Sequence, residues 1–375
     1  MISLKSKILF IESLRGVAAI SVAFYHFGIN SYLTSNSFIK NSWLMVDFFF
    51  LLSGFVIALN FQNKIFTFSD SLKFQARRFF RLYPLHIAVL LIFLLIEYAK
   101  YIAEIKYGLV ANNPAFSINN LESFIHNVFM IHAFSQDYLT WNGASWSISA
   151  EFFTYFFFAL IVLLCNRNAL FIVFCSLFIA LTAFIFLFNT NLSAGNGIIR
   201  CFFSFFLGVI VWNICRNIIF QIPNFISYLI LPISIFAIVF SEPEDVIGIN
   251  ILTPIIFSLM LISLKASNQN TNYIIRILNK KKLVYLGTIS YGIYMLHGIV
   301  WWIMRQILKF GFNFPVSQDE RGFNQVVIES ELLGTSFLIF GLIVIIYLSH
   351  LSYKFLEKPI NRFRGASFNL GGENK

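Results

Sequence analysis

Apolar runs of about 20 residues recur along almost the whole chain, and this feature restricts the possible folds more than any other. Hydrophobic residues make up 58% of the 375 residues, charged residues only 12%, and the mean hydropathy is +0.77. A chain with so little polar surface cannot cover a soluble globule. We therefore predict an all-α polytopic membrane protein.

Ten membrane-spanning helices can be drawn on these runs. They cover residues 9–29, 43–60, 79–97, 146–165, 169–189, 197–215, 222–240, 247–264, 283–304 and 333–353. If the N-terminus is cytoplasmic, the termini and loops on that side hold 19 Lys and Arg residues, and the opposite loops hold six. This asymmetry is typical of a protein with both termini in the cytoplasm. It also accounts for the net charge of +10, so nucleic-acid binding is not needed to explain the charge.

The first apolar run contains two polar side chains that a bilayer would not tolerate without a reason. Arg15 and His26 are eleven residues apart, so on a helix they share one face with a separation of about 16 Å along the axis. A charge inside a membrane segment usually faces the bundle interior, a water-filled path or a partner group. We interpret this face as one wall of a polar tunnel through the helix bundle.

A cluster of cations precedes the third predicted span, in the sequence ARRFFRLYP. Arg77, Arg78 and Arg81 could simply anchor the helix at the cytoplasmic surface. However, Arg78 and Arg81 lie on one helical face, and paired guanidinium groups are suited to gripping phosphate or carboxylate. Tyr83 adds a phenol just inside the membrane. These four residues are candidates for binding an anionic donor.

Several polar residues are predicted on the opposite side of the membrane. Asp47 at the start of the second span could be a capping carboxylate, but it lies on the same side as His26. Glu151 could complement the dipole of its helix, or it could orient a histidine base. Arg200 could snorkel to the interface. His132 is only a weak candidate for the site.

Six motifs in a fixed order resemble acyltransferase family 3, a family of integral-membrane O-acyltransferases. They are Arg15 and His26 with ten residues between them, MVDFFFLLSGFVI, RRFFRLYP, WSISAEFFTY, SYGIYMLHG and the terminal EKP, spread over residues 10–360. The resemblance implies acyl-CoA, usually acetyl-CoA, as a donor used at the cytoplasmic side. It also implies a hydroxyl acceptor, commonly on a sugar, at the outer side. Arg15 and His26 match the essential pair of the family, Arg78 and Arg81 its arginine motif, and Glu151 its acidic position.

Transfer from a thioester to an alcohol needs a base near the alcohol and donors for the developing oxyanion. Histidine is suited to that proton transfer at neutral pH, so we expect His26 to be the base. Glu151 and Asp47 would orient the imidazole or bind acceptor hydroxyls, and Ser147 and His297 are further candidates for these roles. We expect acyl-CoA as a co-substrate, no tightly bound cofactor and no metal, since the sequence contains no nucleotide-binding or metal-ligand motif.

The predicted organisation is a transmembrane acyltransferase domain, 1–360, followed by a short cytoplasmic tail, 361–375. Because so few residues follow the last span, a partner on the outer side would be a separate chain. The predicted location is the bacterial inner membrane, in contact with lipid and with a saccharide or lipid-linked glycan. A transporter or flippase of polysaccharide intermediates is the alternative, but it would more naturally show internal repeats, and none is visible.

Overall fold

The computed structural model describes residues 8–109, 113–135, 139–190, 194–218, 220–241, 248–319 and 322–361. Most of these residues are helical, as the apolar runs predict. The α-helices are α1 Leu9–Tyr25, α2 Ser37–Lys40, α3 Met45–Phe61, α4 Phe68–Tyr107, α5 Leu121–Val128, α6 Trp146–Leu164, α7 Ala169–Asn189, α8 Gly197–Cys215, α9 Asn224–Val239, α10 Thr253–Ala266, α11 Tyr273–Leu278, α12 Lys281–Thr288, α13 Ser290–Gln306 and α14 Glu331–Ser352. Short 3₁₀ turns extend α3 and α10 at their N-termini, and π-helical turns, Ile307–Gly311 and Tyr353–Glu357, follow α13 and α14.

Seven helices in the described ranges are long and apolar enough to cross a membrane. They are Ser42–Phe61, Phe68–Tyr107, Trp146–Leu164, Ala169–Asn189, Gly197–Cys215, Ile249–Ala266 and Glu331–Asn361. Each of them overlaps a predicted span, although Phe68–Tyr107, with 40 residues, extends well beyond the predicted 79–97 at both ends. The exposed face of α7 is strongly apolar, with Leu170, Phe174 and Phe178 each more than 60% exposed at intervals of four residues. A face of this kind suits lipid rather than water.

The other three predicted spans form helices that differ from the expectation in length or straightness. α1 has 17 residues and α9 has 16, so both are shorter than a typical span. α12 and α13 meet at a bend of 66°, and only together are they long enough to be an eighth crossing helix. The prediction of a helical membrane protein is confirmed, whereas the count of ten stays a prediction.

Glycines allow two pairs of helices to touch backbone to backbone. A Cβ atom at Gly54 of α3 would lie 1.9 Å from the carbonyl oxygen of Phe205 in α8, and one at Gly208 would lie 2.1 Å from that of Leu51. Likewise, a Cβ atom at Gly287 of α12 would meet the Glu12 carbonyl oxygen of α1 at 1.8 Å. Small residues at such crossings are how membrane helices pack closely. These contacts fix α3 and α1, which both carry residues of the candidate site.

A small β-hairpin between α13 and α14 holds the segment that follows α1. Its strands are β1 Val316–Gln318 and β2 Asn324–Val326, paired antiparallel. The Val326 amide donates to the Gly28 carbonyl at 3.1 Å, and the Asn30 side chain bonds both backbone groups of Ile328. The chain just beyond His26 is therefore tied to the hairpin. The predicted tail, apart from Asn361, lies outside the described residues.

Candidate active site

One cavity, which we call the arginine cavity, lies between α1, α3, α4, α6 and α13; its empty volume is about 670 Å³ when the solvent at its opening is included. Its charged lining residues are Arg15, Arg78, Arg81 and Glu151. They come from three helices, so residues far apart in the sequence converge on one space. Three guanidinium groups outnumber one carboxylate, which makes the cavity suitable for an anionic ligand.

Neighbouring side chains hold two of the four charged groups of the arginine cavity, Glu151 and Arg78. Glu151 accepts a short hydrogen bond from the Tyr155 hydroxyl one turn later, and that hydroxyl lies 3.0 Å from the Ser53 Oγ. The Arg78 guanidinium lies over two rings, 5.0 Å from the centroid of Phe61 and 5.8 Å from that of Tyr155. Such cation–π contacts hold a guanidinium in place while its edge can still bind an anion.

A second cavity, the tryptophan cavity, has an empty volume of about 1470 Å³ when the solvent at its opening is included. Five of the six tryptophans in the chain line it: Trp43, Trp141, Trp146, Trp301 and Trp302. Polar groups are set among these rings, including His26, His297 and Arg200. The cavity thus combines flat aromatic faces with a few hydrogen-bonding groups, which is the usual composition of a specific small-molecule site.

His26 lies at the end of α1 rather than within it. α1 ends at Tyr25, and His26 is the C-cap, two residues before Gly28 with φ +62°. The His26 Nδ1 atom lies 3.0 Å from the carbonyl oxygen of Val22. Because a carbonyl oxygen can only accept, the neutral ring carries its proton on Nδ1, and Nε2 bears the lone pair that a base needs. The ring is exposed, so a ligand in the tryptophan cavity can reach it.

His297 lies next to His26, and in both residues Nδ1 is close to the carbonyl oxygen four residues earlier in the chain. Its ring centroid is 5.1 Å from that of His26, and its Nδ1 is 3.3 Å from the carbonyl oxygen of Ile293. In contrast to His26, His297 is only 1% exposed. Of the two histidines, His26 is therefore the accessible one.

The two cavities meet at Val46 and Tyr294, which line both. The Tyr294 hydroxyl donates to the Ala144 carbonyl at 2.9 Å and lies 2.7 Å from the Ser147 Oγ. Along α13, Ser290 and Tyr291 line the arginine cavity, and His297 lines the tryptophan cavity. Tyr294 and Ser147 therefore stand between the arginines and the histidines.

Asp47 does not reach either cavity in the described structure; it forms a buried ion pair. Its Oδ2 accepts from the Arg200 Nη2 at 2.6 Å and its Oδ1 from the Arg200 Nε at 3.3 Å. The Asp47 side chain is fully buried, and Arg200 is 1% exposed. Arg200, not Asp47, lines the tryptophan cavity. The interpretation of Arg200 as a snorkelling residue is wrong, because it points into the protein.

The structure also separates Glu151 from His26, which the sequence suggested could act together. Glu151 lines the arginine cavity with Arg15, and His26 lines the tryptophan cavity with His297. Of the other predicted donor-binding residues, Arg77 and Tyr83 line neither cavity among the described residues. Arg77 is buried, and Tyr83 stacks on Phe79 with ring centroids 4.4 Å apart. The arginine motif therefore contributes Arg78 and Arg81 to the cavity.

His132, the weaker histidine candidate, belongs to a buried cluster outside both cavities. Its Nε2 lies 3.2 Å from the Ser145 Oγ, and its ring stacks on that of His86 at 5.5 Å. Burial, and next the neighbouring His86, lower the pKa of His132 to about 3. The ring is therefore neutral at physiological pH and is placed to support the loop before α6.

Comparison with known proteins identifies the family to which the chain belongs. A family model described as an acyltransferase domain matches residues 8–353, so the chain belongs to this acyltransferase family. The resemblance found in the sequence motifs is confirmed. ORF330 of Acidianus two-tailed virus, whose given name is that of an acetyltransferase, is 26% identical over 333 residues, which cover 83% of this chain and 90% of that protein. No solved structure matches the chain significantly.

The family and the helical architecture together define a membrane-embedded enzyme that transfers acyl groups. Nearly the whole described bundle falls within the matched region, including both cavities.

Proposed function

We propose that this protein is an O-acyltransferase that moves an acetyl group from acetyl-CoA to a hydroxyl of a saccharide, as part of a surface glycan or a lipid-linked precursor. The observation that carries the proposal is the pair of adjoining cavities, one rich in arginine and one rich in tryptophan, with His26 in the second. A donor and an acceptor that differ in charge would each find a matching cavity. The cavities meet at Tyr294, where the two substrates can approach each other.

The donor is assigned to the arginine cavity by charge. Coenzyme A is a polyanion, and Arg15, Arg78 and Arg81 provide three cations against the single carboxylate of Glu151. The pantetheine arm is of the same order of length as the separation of Arg15 and His26 along α1, about 16 Å for an ideal helix. A donor held near these arginines can therefore present its thioester towards Tyr294 and His26.

The acceptor is assigned to the tryptophan cavity by shape and polarity. A sugar ring has apolar faces and polar edges, and the cavity has five indole rings with histidine and arginine groups among them. His26 Nε2 would take the proton of the attacking hydroxyl as the new C–O bond forms. The C–S bond then breaks, and coenzyme A leaves as a thiolate that takes up a proton. The products are an O-acetylated sugar and free coenzyme A.

The orientation follows from the charge asymmetry of the sequence. With both termini in the cytoplasm, α1 leads from Arg15 on the cytoplasmic side to His26 on the outer side. The acetyl group would thus cross the bundle while the bulk of the donor stays on the cytoplasmic side. The location that we propose is the inner membrane of a bacterial cell.

The proposal is tested with the purified full chain in lipid nanodiscs, radiolabelled acetyl-CoA and a panel of saccharides with and without lipid carriers. Wild-type protein should label a saccharide acceptor. His26→Gln should lower the rate by about 10²–10⁴-fold, the usual contribution of a general base, while acetyl-CoA still binds. His350→Gln is the matched control, because this histidine on α14 lies outside both cavities. Full activity of His26→Gln, or labelling of no saccharide, would contradict the proposal.

A further inference from the structure

A third cavity adjoins the tryptophan cavity, and we call it the lysine groove. Its lining includes Lys100, Arg305 and Lys309, and its empty volume is about 1420 Å³ when the solvent at its opening is included. Three residues, Trp302, Arg305 and Asn324, line both the lysine groove and the tryptophan cavity. The two spaces are therefore neighbours, and one extended ligand can occupy both.

The lysine groove has a positive lining. Among the described residues that form it, no Asp or Glu is present. The Lys100 ammonium is balanced by Glu97, which lies 3.0 Å away. Arg305 and Lys309 are four residues apart, at the end of α13 and in the π-helical turn that follows, so they lie on the same side of this segment. The groove is consequently suited to a ligand with negative charge.

Membrane topology alone does not explain this grouping. In the predicted topology only six Lys and Arg residues lie in the outer loops, namely Lys40, Lys100, Lys106, Arg305, Lys309 and Arg321. Three of these six collect around one groove. Cations are sparse on this side of the protein, so their convergence points to a binding role.

The apolar part of the groove adjoins the surface that α4 offers to lipid. Ile96, Ala99 and Ala103 line the groove. On the same helix, within the predicted span 79–97, Leu91 is 48% exposed and Leu95 is 70% exposed, as expected for side chains that contact hydrocarbon. An acyl or prenyl chain can therefore lie along α4 while its headgroup enters the groove.

We propose that the lysine groove binds the phosphate of the lipid that carries the acceptor saccharide. The Arg305 guanidinium and the Lys309 ammonium hold the phosphate oxygens, the first through its planar fork and the second as a point charge. The sugar then extends past Trp302 into the tryptophan cavity towards His26. This inference rests on the proposed function, because it assigns a carrier to the same acceptor. It predicts a lipid-linked acceptor in preference to a free saccharide.

Direct binding tests the groove without requiring acyl transfer. The full chain is placed in phosphatidylcholine nanodiscs and titrated with a radiolabelled long-chain polyprenyl phosphate. Saturable binding is expected, with none for the matching polyprenol that lacks phosphate. Arg305→Gln and Lys309→Gln should each weaken binding at least about ten-fold, because each removes a charged hydrogen bond, and Lys309→Arg should restore most of it. Thermal unfolding of each variant verifies that it is folded.

Lys106→Gln is the matched control, since Lys106 is an exposed cation on α4 that does not line the groove. An equal loss of binding in Lys106→Gln would overturn the assignment of the site. Displacement by millimolar inorganic phosphate would show a free-phosphate site, and equal displacement by phosphatidylglycerol would show a general anionic-lipid site; both contradict a carrier-lipid site. Absence of acyl transfer with intact phosphate binding would instead count against the proposed function alone.

Discussion

The Arg200 guanidinium is enclosed by Asp47 and two indole rings, so its position in the tryptophan cavity is determined from several sides. Its Cζ atom lies 5.0 Å from the ring centroid of Trp43 and 5.5 Å from that of Trp146. The Ser204 Oγ, one turn after Arg200, lies 3.5 Å from Asp47 Oδ1. Asp47 therefore affects the tryptophan cavity through Arg200, which lines that cavity, while Asp47 itself does not line it.

This ion pair predicts that substitutions of Asp47 and Arg200 have strongly coupled effects on the stability of the protein. Asp47→Ala should destabilise the protein by about 3–5 kcal/mol, because it leaves a buried cation without its partner. Arg200→Met should cost a similar amount for the corresponding reason. The double variant should recover a large part of the loss, since no unpaired charge remains. Thermal or denaturant unfolding in detergent measures all three, and additive losses in the double variant would contradict the pairing.

The arginine motif allows a comparison between two adjacent cations. Arg78 lines the arginine cavity, whereas Arg77 does not. Arg78→Lys should raise the KM for acetyl-CoA by about ten-fold, because an ammonium cannot reproduce the planar fork, and kcat should change less. Arg77→Lys is the matched control and should leave KM unchanged. Initial rates at varied acetyl-CoA concentrations measure KM for both variants. An equal rise in KM for both would indicate that the arginines only anchor the helix at the cytoplasmic surface.

Much of the fold could be predicted because one physical requirement dominates it. Seven apolar runs became long apolar helices at the predicted places, since a membrane segment must be helical over a fixed length. The three-residue spacing of Arg78 and Arg81 also indicated a shared face, and both line one cavity. Local periodicity was sufficient for these features.

Other features depend on contacts that no local pattern encodes. Asp47 and Arg200 are 153 residues apart, so their pairing follows only from how α3 packs on α8. The end of α1, in contrast, has a local signal in the sequence. Gly28 follows His26 by two residues, and a glycine, which can adopt positive φ, is a usual sign of a helix end. Arg15 and His26 were expected on one wall of a tunnel; Arg15 lines the arginine cavity and His26 lines the adjoining tryptophan cavity, and a continuous tunnel stays a prediction.

The contact of α3 and α8 provides a stability test that does not involve the site chemistry. Gly54→Ala should destabilise the protein by about 1–3 kcal/mol, because its Cβ would overlap the Phe205 carbonyl and the helices would have to separate. Gly311→Ala is the control, as the nearest atom to its Cβ would be 3.9 Å away. Thermal unfolding should show a lower Tm for the first variant and little change for the second. Equal Tm values would mean that α3 and α8 are not in close contact.

The separation of Glu151 from His26 makes a prediction about pH dependence. A carboxylate beside an imidazole raises its pKa, so if Glu151 acted on His26, Glu151→Gln would lower that pKa and move the acidic limb of kcat/KM to lower pH. Because Glu151 lines the arginine cavity instead, we expect the midpoint of that limb to stay within about 0.3 pH unit of the wild type. If the arginine cavity binds the donor as proposed, the KM for acetyl-CoA should fall about two- to five-fold, since the variant removes a negative charge from that cavity.

Initial rates between pH 5 and 9, measured at several acetyl-CoA concentrations, separate these two effects. Tyr155→Phe is the matched control, because it removes the hydrogen bond to Glu151 but retains the carboxylate. It should therefore leave the charge of the arginine cavity unchanged and lower KM less than Glu151→Gln does. A shift of the acidic limb by about one pH unit in Glu151→Gln, with KM unchanged, would show that the carboxylate acts on the base after all, and the two cavities would then have to be treated as one catalytic unit.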